Sequence, residues 1–199
     1  MLAEWRPFVN DGGGPDAAAP GAPAADAFDL SPSGLSFVFG LELPTGDEGD
    51  SVPTGVTPPT VLQLGSGTFD PVVGMRYSTA ADDVALFASA VAQFSGGESD
   101  NGLRAGLTTE LALGAGTRIV DRLSAVLALE TVLRRHDELD GSDIENTGSR
   151  LLFLTPGIGF DLHEQLSLQA TVRWPLWRNV TREQLVPGPF WSLALQLRF

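Results

Sequence analysis

Ten charged residues hold most of the chemistry this chain could do: Glu42, Asp70, Arg76, Arg104, Glu110, Glu130, Arg134, Asp161, Arg173 and Arg198. Each lies in a segment where apolar residues alternate with others, and each falls on the less apolar parity. Independent placement would do that about one time in a thousand. Because a period of two sends successive side chains to opposite faces of a sheet, the ten share one face. Inside an enclosed lumen, such arginines and carboxylates can form a charge ladder or constriction that selects ions or solutes. They can equally pair with one another and simply fill and stiffen a small interior. Both readings stand on the sequence.

Other constellations are weaker. Gly65-Ser66-Gly67 is too short for a dinucleotide fingerprint, and no helix follows to offer an anion-binding terminus. Its expected use is backbone freedom beside Pro71, where a strand starts or bulges. His136 and His163 are the only histidines, and the topology below puts them at opposite ends of the fold. A serine–histidine dyad needs hydrogen-bond reach, and nothing marks Ser142 or Ser149 as a nucleophile. The run from His136 to Glu145 is acidic but lacks the ligand spacing of a calcium loop, so it reads as a solvated loop. Asp47, Glu48 and Asp50 read the same way. The expected roster therefore contains no catalytic residue, no metal ligand and no cofactor.

The elements that must position the ten charges are strands. Eight segments alternate: 35–43, 69–78, 85–95, 103–115, 123–134, 151–162, 166–177 and the closing stretch 189–199. The last is the clearest, with Leu193, Leu195, Leu197 and Phe199 on one parity and Ser192, Ala194, Gln196 and Arg198 on the other. It resembles the carboxy-terminal assembly signal of bacterial outer-membrane barrels. Two features favour an apolar face turned outward. The polar face holds few charges and is padded with Gly, Ser, Thr and Ala, which is thin cover for an exterior in water but suits an enclosed lumen. Tyr77, Phe94, Phe160, Trp174 and Phe199 lie toward segment ends, where aromatic girdles meet the two membrane interfaces.

Composition agrees. The formal charge is −13, from 25 acidic and 12 basic residues, and every basic residue is arginine. An acidic chain without a basic cluster is a poor partner for nucleic acid. Soluble sheets guard their edges with lysine, and this chain has none. With no cysteine, disulfide frameworks and thiolate metal sites are excluded. No apolar run is long enough for a membrane-spanning helix, whereas barrel strands need only about 9–11 alternating residues.

Connection lengths order the strands. The links 79–83, 116–122 and 163–165 are short, while 44–68, 96–102, 135–149 and 178–188 are longer, and the two sets alternate. Short periplasmic turns and long external loops are the asymmetry of outer-membrane barrels. Residues 9–33, rich in Gly, Pro, Ala and Asp, read as a flexible linker, and residues 1–8 as the remnant of an earlier strand. The start MLAEWRPFVN lacks the pattern of a secretory signal peptide, so an amino-terminal truncation is expected.

Leu43-Pro44-Thr45-Gly46-Asp47 followed by Gly65-Ser66-Gly67-Thr68-Phe69-Asp70-Pro71 resembles a family of outer-membrane transporters grouped with the meta-pathway phenol-degradation proteins. The GAGTRIVDRL turn and the RRHDELDG loop are similar too, and the likeness runs from Gly34 to Phe199. The resemblance implies an outer-membrane channel or transporter for small solutes, aromatic or otherwise hydrophobic ones among them. The fold expected is all-β: an antiparallel up-and-down transmembrane barrel over residues 34–199, with about eight or nine strands here and more in the intact barrel. Expected partners are outer-membrane lipid and lipopolysaccharide, the barrel-assembly machinery and a small-molecule solute, in the bacterial outer membrane. Two rivals remain: a non-transporting structural or adhesive barrel, and a soluble ligand-binding barrel with its apolar face inward.

Overall fold

The computed structural model of the protein describes residues 34–44, 67–100, 102–163, 166–182 and 187–197. The expected remnant strand 1–8, the linker 9–33, Asp47, Glu48, Asp50, Gly65, Ser66, Arg198 and Phe199 lie outside the described residues. Alternation becomes strand wherever it was strongest. The long strands are β1 (Gly34–Glu42), β2 (Asp70–Ala81), β3 (Val84–Gln93), β5 (Thr108–Val120), β6 (Leu123–Arg134), β9 (Ser149–His163), β10 (Leu166–Val180) and β11 (Phe190–Leu197). Three two-residue strands interrupt the order: β4 (Leu103–Arg104), β7 (Glu138–Leu139) and β8 (Ser142–Asp143).

The long strands form one 8-stranded sheet in the order β1-β2-β3-β5-β6-β9-β10-β11, every neighbour antiparallel. This is the up-and-down meander expected. At one end the connections are tight: Asp82–Asp83 joins β2 to β3, and Asp121–Arg122 joins β5 to β6. Asp82 takes a left-handed backbone (φ 52°), which a short polar side chain tolerates better than a bulky one. The other end carries the long connections. No ladder joins β1 to β11 among the described residues, so among them the sheet is an open wall with β1 and β11 at its edges, as part of a larger barrel would be.

Which face is which follows from exposure. Phe39 is 73% exposed and Leu193 72%, and Leu86, Leu113, Leu127 and Ile158 are exposed with them. The opposite parity is shielded, with Phe87 and Phe153 each 3% exposed. Among the described residues no second layer covers that parity, so the sheet shields it by curling round it. The apolar face is therefore the convex, outer one, which rules out the inside-out arrangement of a soluble barrel. Leu195 and Leu197 point outward with Leu193, as the closing strand's pattern required. Tyr77 and Phe160 near the tight turns, and Phe94 and Trp174 toward the loops, are exposed on the same outer face.

Two expectations are corrected. Residues 103–115 do not form one strand: the chain leaves the ladder at 105–107 and enters β5 only at Thr108. The cause is Gly106, whose N–H donates to Asp137 Oδ1 at 2.8 Å and whose Cα lies so close to the Arg135 carbonyl that a side chain would collide with it. The second correction concerns the concave face, which is less polar than its composition suggested. Phe87, Val126 and Ala128 pack together there, as do Val132, Leu151 and Phe153, with Val180 against the latter group.

Candidate functional site: the concave wall and its outer cap

Cross-strand register sets the wall. Ala112 stands opposite Glu130, Glu130 opposite Phe153, and Phe153 opposite Pro175, all on the concave face. From β10, Arg173 reaches across Phe153 to Glu130, with Nε 2.9 Å from Oε2. That approach lies off the N–H axis, so it is a charge contact rather than a directed hydrogen bond. The guanidinium sits 4.2 Å from the Phe153 ring centroid, within cation–π range. Glu110, opposite Val91 and Val132, lies within electrostatic reach of both Arg173 and Glu130. Two carboxylates thus share one arginine beside an aromatic ring.

A second contact of the same kind lies nearer the tight turns. Arg76 is 5.8 Å from the Phe87 ring centroid. Phe87 lies over Gly114, where a Cβ would meet the ring and come within 2.9 Å of the Leu127 carbonyl oxygen. Gly114 is what lets the ring lie flat on the wall. Asp161 faces Ser167 farther along, at the tight-turn end.

At the loop end the charges turn to local partners. Gln93 donates its side-chain amide to Glu42. Asp70, opposite Glu42 across β1 and β2, accepts from Thr68 Oγ1 and from the Gly96 N–H at 2.9 Å. Asp137 is 0% exposed and forms a hub. It accepts from Arg134 Nη2 at 3.2 and 3.1 Å and from the Gly106 N–H, while its own N–H donates to Thr147 Oγ1 at 2.8 Å. Thr147 Oγ1 donates to the Ile144 carbonyl at 2.7 Å, and the Ile144 N–H to the Asp137 carbonyl at 2.7 Å. Around this hub β4, β7 and β8 form a small antiparallel sheet. Its β7–β8 hairpin turns through Asp140 (φ 51°) and Gly141 (φ 75°), both left-handed as a tight hairpin turn requires.

The nine described candidates therefore divide. Glu110, Glu130 and Arg173 meet on the wall; Arg76 and Asp161 stand apart on the same face; Glu42 and Asp70 line its loop end. Arg134 belongs to the cap through Asp137. Arg104 is the clearest departure: it lies in β4, off the barrel wall, with a half-exposed side chain whose Nη1 is 4.0 Å from Glu138 Oε2. The acidic loop stays largely exposed, as at Asp140 and Asp143, but three of its carboxylates meet arginines, in Arg134–Asp137, Arg104–Glu138 and Arg182–Glu145. Among the described residues, no group of His, Asp and Glu is placed to hold a metal ion. His136 Nδ1 lies within the cap, near the Ile144 carbonyl and the Gly148 N–H, and His163 ends β9 at the opposite end of the sheet. Sequence reading missed Phe87, Phe153 and Asp137. Only the cap carried a local signal, the Asp140-Gly141 pair.

No curated protein matches the sequence. Among solved structures, an outer membrane channel from Pseudomonas putida F1 superposes with a TM-score of 0.62 at 13% identity, over 82% of this chain. The chain spans 58% of that channel's length. At such identity the likeness speaks for the fold alone: the wall of an antiparallel transmembrane β-barrel. A family model matches residues 30–185, and the chain belongs to that family, described as "putative MetA-pathway of phenol degradation".

Proposed function

We propose that this chain forms a major part of the wall of an outer-membrane channel, in the outer membrane of a Gram-negative bacterium, for small solutes with an aromatic or otherwise apolar body. One observation carries the reading: Arg173, Glu130 and Glu110 gather beside Phe153, Leu151 and Val132 on the face turned away from lipid. An apolar body can move along the ring and aliphatic side chains while a polar substituent exchanges contacts with the charges. The structure of the Pseudomonas channel and the phenol-degradation family support the same direction. The chain carries out no chemistry on the solute in this reading. Its assembly would use the outward leucines of β11 as the signal read by the barrel-assembly machinery.

The test is conduction. Full-length protein refolded into planar bilayers should carry current, and Arg173→Ser should move the reversal potential toward cations, because Glu110 and Glu130 lose their shared counter-charge. Heat-modifiable gel mobility reports independently whether the barrel has folded. A protein that folds and never conducts would overturn the channel and favour the rival, a structural barrel whose folded cap does the work.

A further inference from the structure

Among the described strands, the convex face carries charge at one place only. On β9, Arg150 lies opposite Leu133 of β6 and Asn179 of β10, and all three belong to the outward parity. Arg135 follows the inward Arg134, so it too turns outward, and its side chain is exposed. It stands diagonally above Arg150 on the next strand, about 7–8 Å away along the sheet. On the other flank, Trp177 is the outward residue diagonally below Arg150, and it is 51% exposed. The register shift between Pro175 and Trp177 leaves Leu176 exposed beside it.

Two guanidiniums on neighbouring strands repel each other, and in this acidic chain carboxylates to offset them are plentiful. None stands on the outward face of β6, β9 or β10 around them, and neither Arg135 nor Arg150 has an ion-pair partner among the described residues. The loop-end arginines Arg104, Arg134 and Arg182 all have one. At the tight-turn end the exposed Arg118 and Arg122 lie among Asp82, Asp83 and Asp121. Arg178 also has no ion pair among the described residues, but it lies on the inward parity, opposite Leu151. On the lipid-facing strands, charge without a partner is thus found only at the loop end, directly above an indole and a leucine band. Tryptophan marks the level of the headgroups in a membrane protein. Anionic groups at that level are what the two arginines lack.

We infer that Arg135, Arg150 and Trp177 form a binding site, on the outside of the wall, for a phosphate-bearing lipid of the outer leaflet. Arginine's planar fork matches phosphate oxygens, and two forks side by side suit a headgroup carrying more than one negative charge. Trp177 takes the boundary between headgroup and acyl chain, and Leu133, Leu152 and Leu176 take the chains. The site rests on the membrane reading of the fold but not on conduction.

Native mass spectrometry of the full-length protein in detergent tests it, with a bis-phosphorylated glucosamine lipid, the same lipid dephosphorylated, and inorganic phosphate as probes. The phosphorylated lipid should bind, and the double substitution Arg135→Ser with Arg150→Ser should weaken it about thirtyfold. Arg118→Ser, at the other end of the wall, should leave binding unchanged. Equal binding of both lipids, or full competition by inorganic phosphate, would overturn the inference. Should the double variant fail to refold, the wild-type protein decides: lipid binding that does not weaken as salt rises excludes a paired-arginine site. A barrel that folds and conducts in lipid without phosphate, yet ignores the phosphorylated lipid, ends this inference and leaves the channel intact.

Discussion

Two arginine–carboxylate pairs in this molecule are built from the same chemistry and sit in different places. Arg173–Glu130 lies on the concave wall, where the arginine rests on Phe153 and a second carboxylate, Glu110, stands within reach. Arg134–Asp137 lies in the cap, where Asp137 also binds the Gly106 amide and is fixed through Thr147 and Ile144. In the wall the charges face a space and are not fully balanced by one another. In the cap the carboxylate is shared between its arginine and the Gly106 backbone amide. The difference separates a charge able to address a solute from one that holds a loop in place.

The largest effect should come from breaking the cap's hub. Asp137→Ala removes the carboxylate that a nearly buried guanidinium and the Gly106 amide share, at a cost of about 3–5 kcal/mol to the cap. Limited proteolysis should then cut within residues 135–148, while gel mobility still reports a folded wall. Loss of the wall along with the cap would show that the two regions are one cooperative unit. Next is the wall's own packing. Gly114→Ala drives a methyl into the Phe87 ring and toward the Leu127 carbonyl, for a loss of roughly 1–3 kcal/mol in denaturant titration. Adding Phe87→Ala should recover part of that loss, because the ring can be removed and the carbonyl cannot. A double variant no better than the single one would mean the ring does not lie over Gly114.

A third change sharpens the comparison without removing atoms. Glu130→Gln keeps the shape of the wall pair and deletes its negative charge, so Arg173 is left facing Glu110 alone. The reversal potential should move toward anions, opposite in sign to Arg173→Ser. Two shifts of the same sign would show that the cluster responds as a packing unit rather than through charge.

How much of this could be read in the sequence depends on range. Alternation is a local property, so the long strands, their antiparallel order and the outward placement of Leu193, Leu195 and Leu197 were legible. Phe87 and Phe153 were not, since one aromatic on a mostly small or polar parity does not alter a strand's pattern. Their partners, Gly114 and Arg173, come from other strands. The bond from Gly106 to Asp137 joins residues 31 positions apart, and that bond takes Arg104 off the wall. Periodicity assigned Arg104 to a strand because Leu103, Leu107 and Leu111 happen to share a parity across a break in the ladder. The hairpin at Asp140-Gly141 was the one available sign that the loop folds.

Arg104 supplies the smallest expected effect and a direct check on where the wall ends. Its side chain is 57% exposed and its partner Glu138 42%, with 4.0 Å between the charged atoms. Exposed pairs with that separation contribute at most about 0.5 kcal/mol, since water and salt screen them. Arg104→Ser should therefore leave unfolding nearly unchanged, and the reversal potential should not move. The contrast with Arg173→Ser decides the matter, because each substitution removes one positive charge from the same protein. If Arg104→Ser shifted selectivity as strongly, the cap would have to lie in the path of the solute. The division between a wall that addresses solutes and a cap that only holds itself together would then fail.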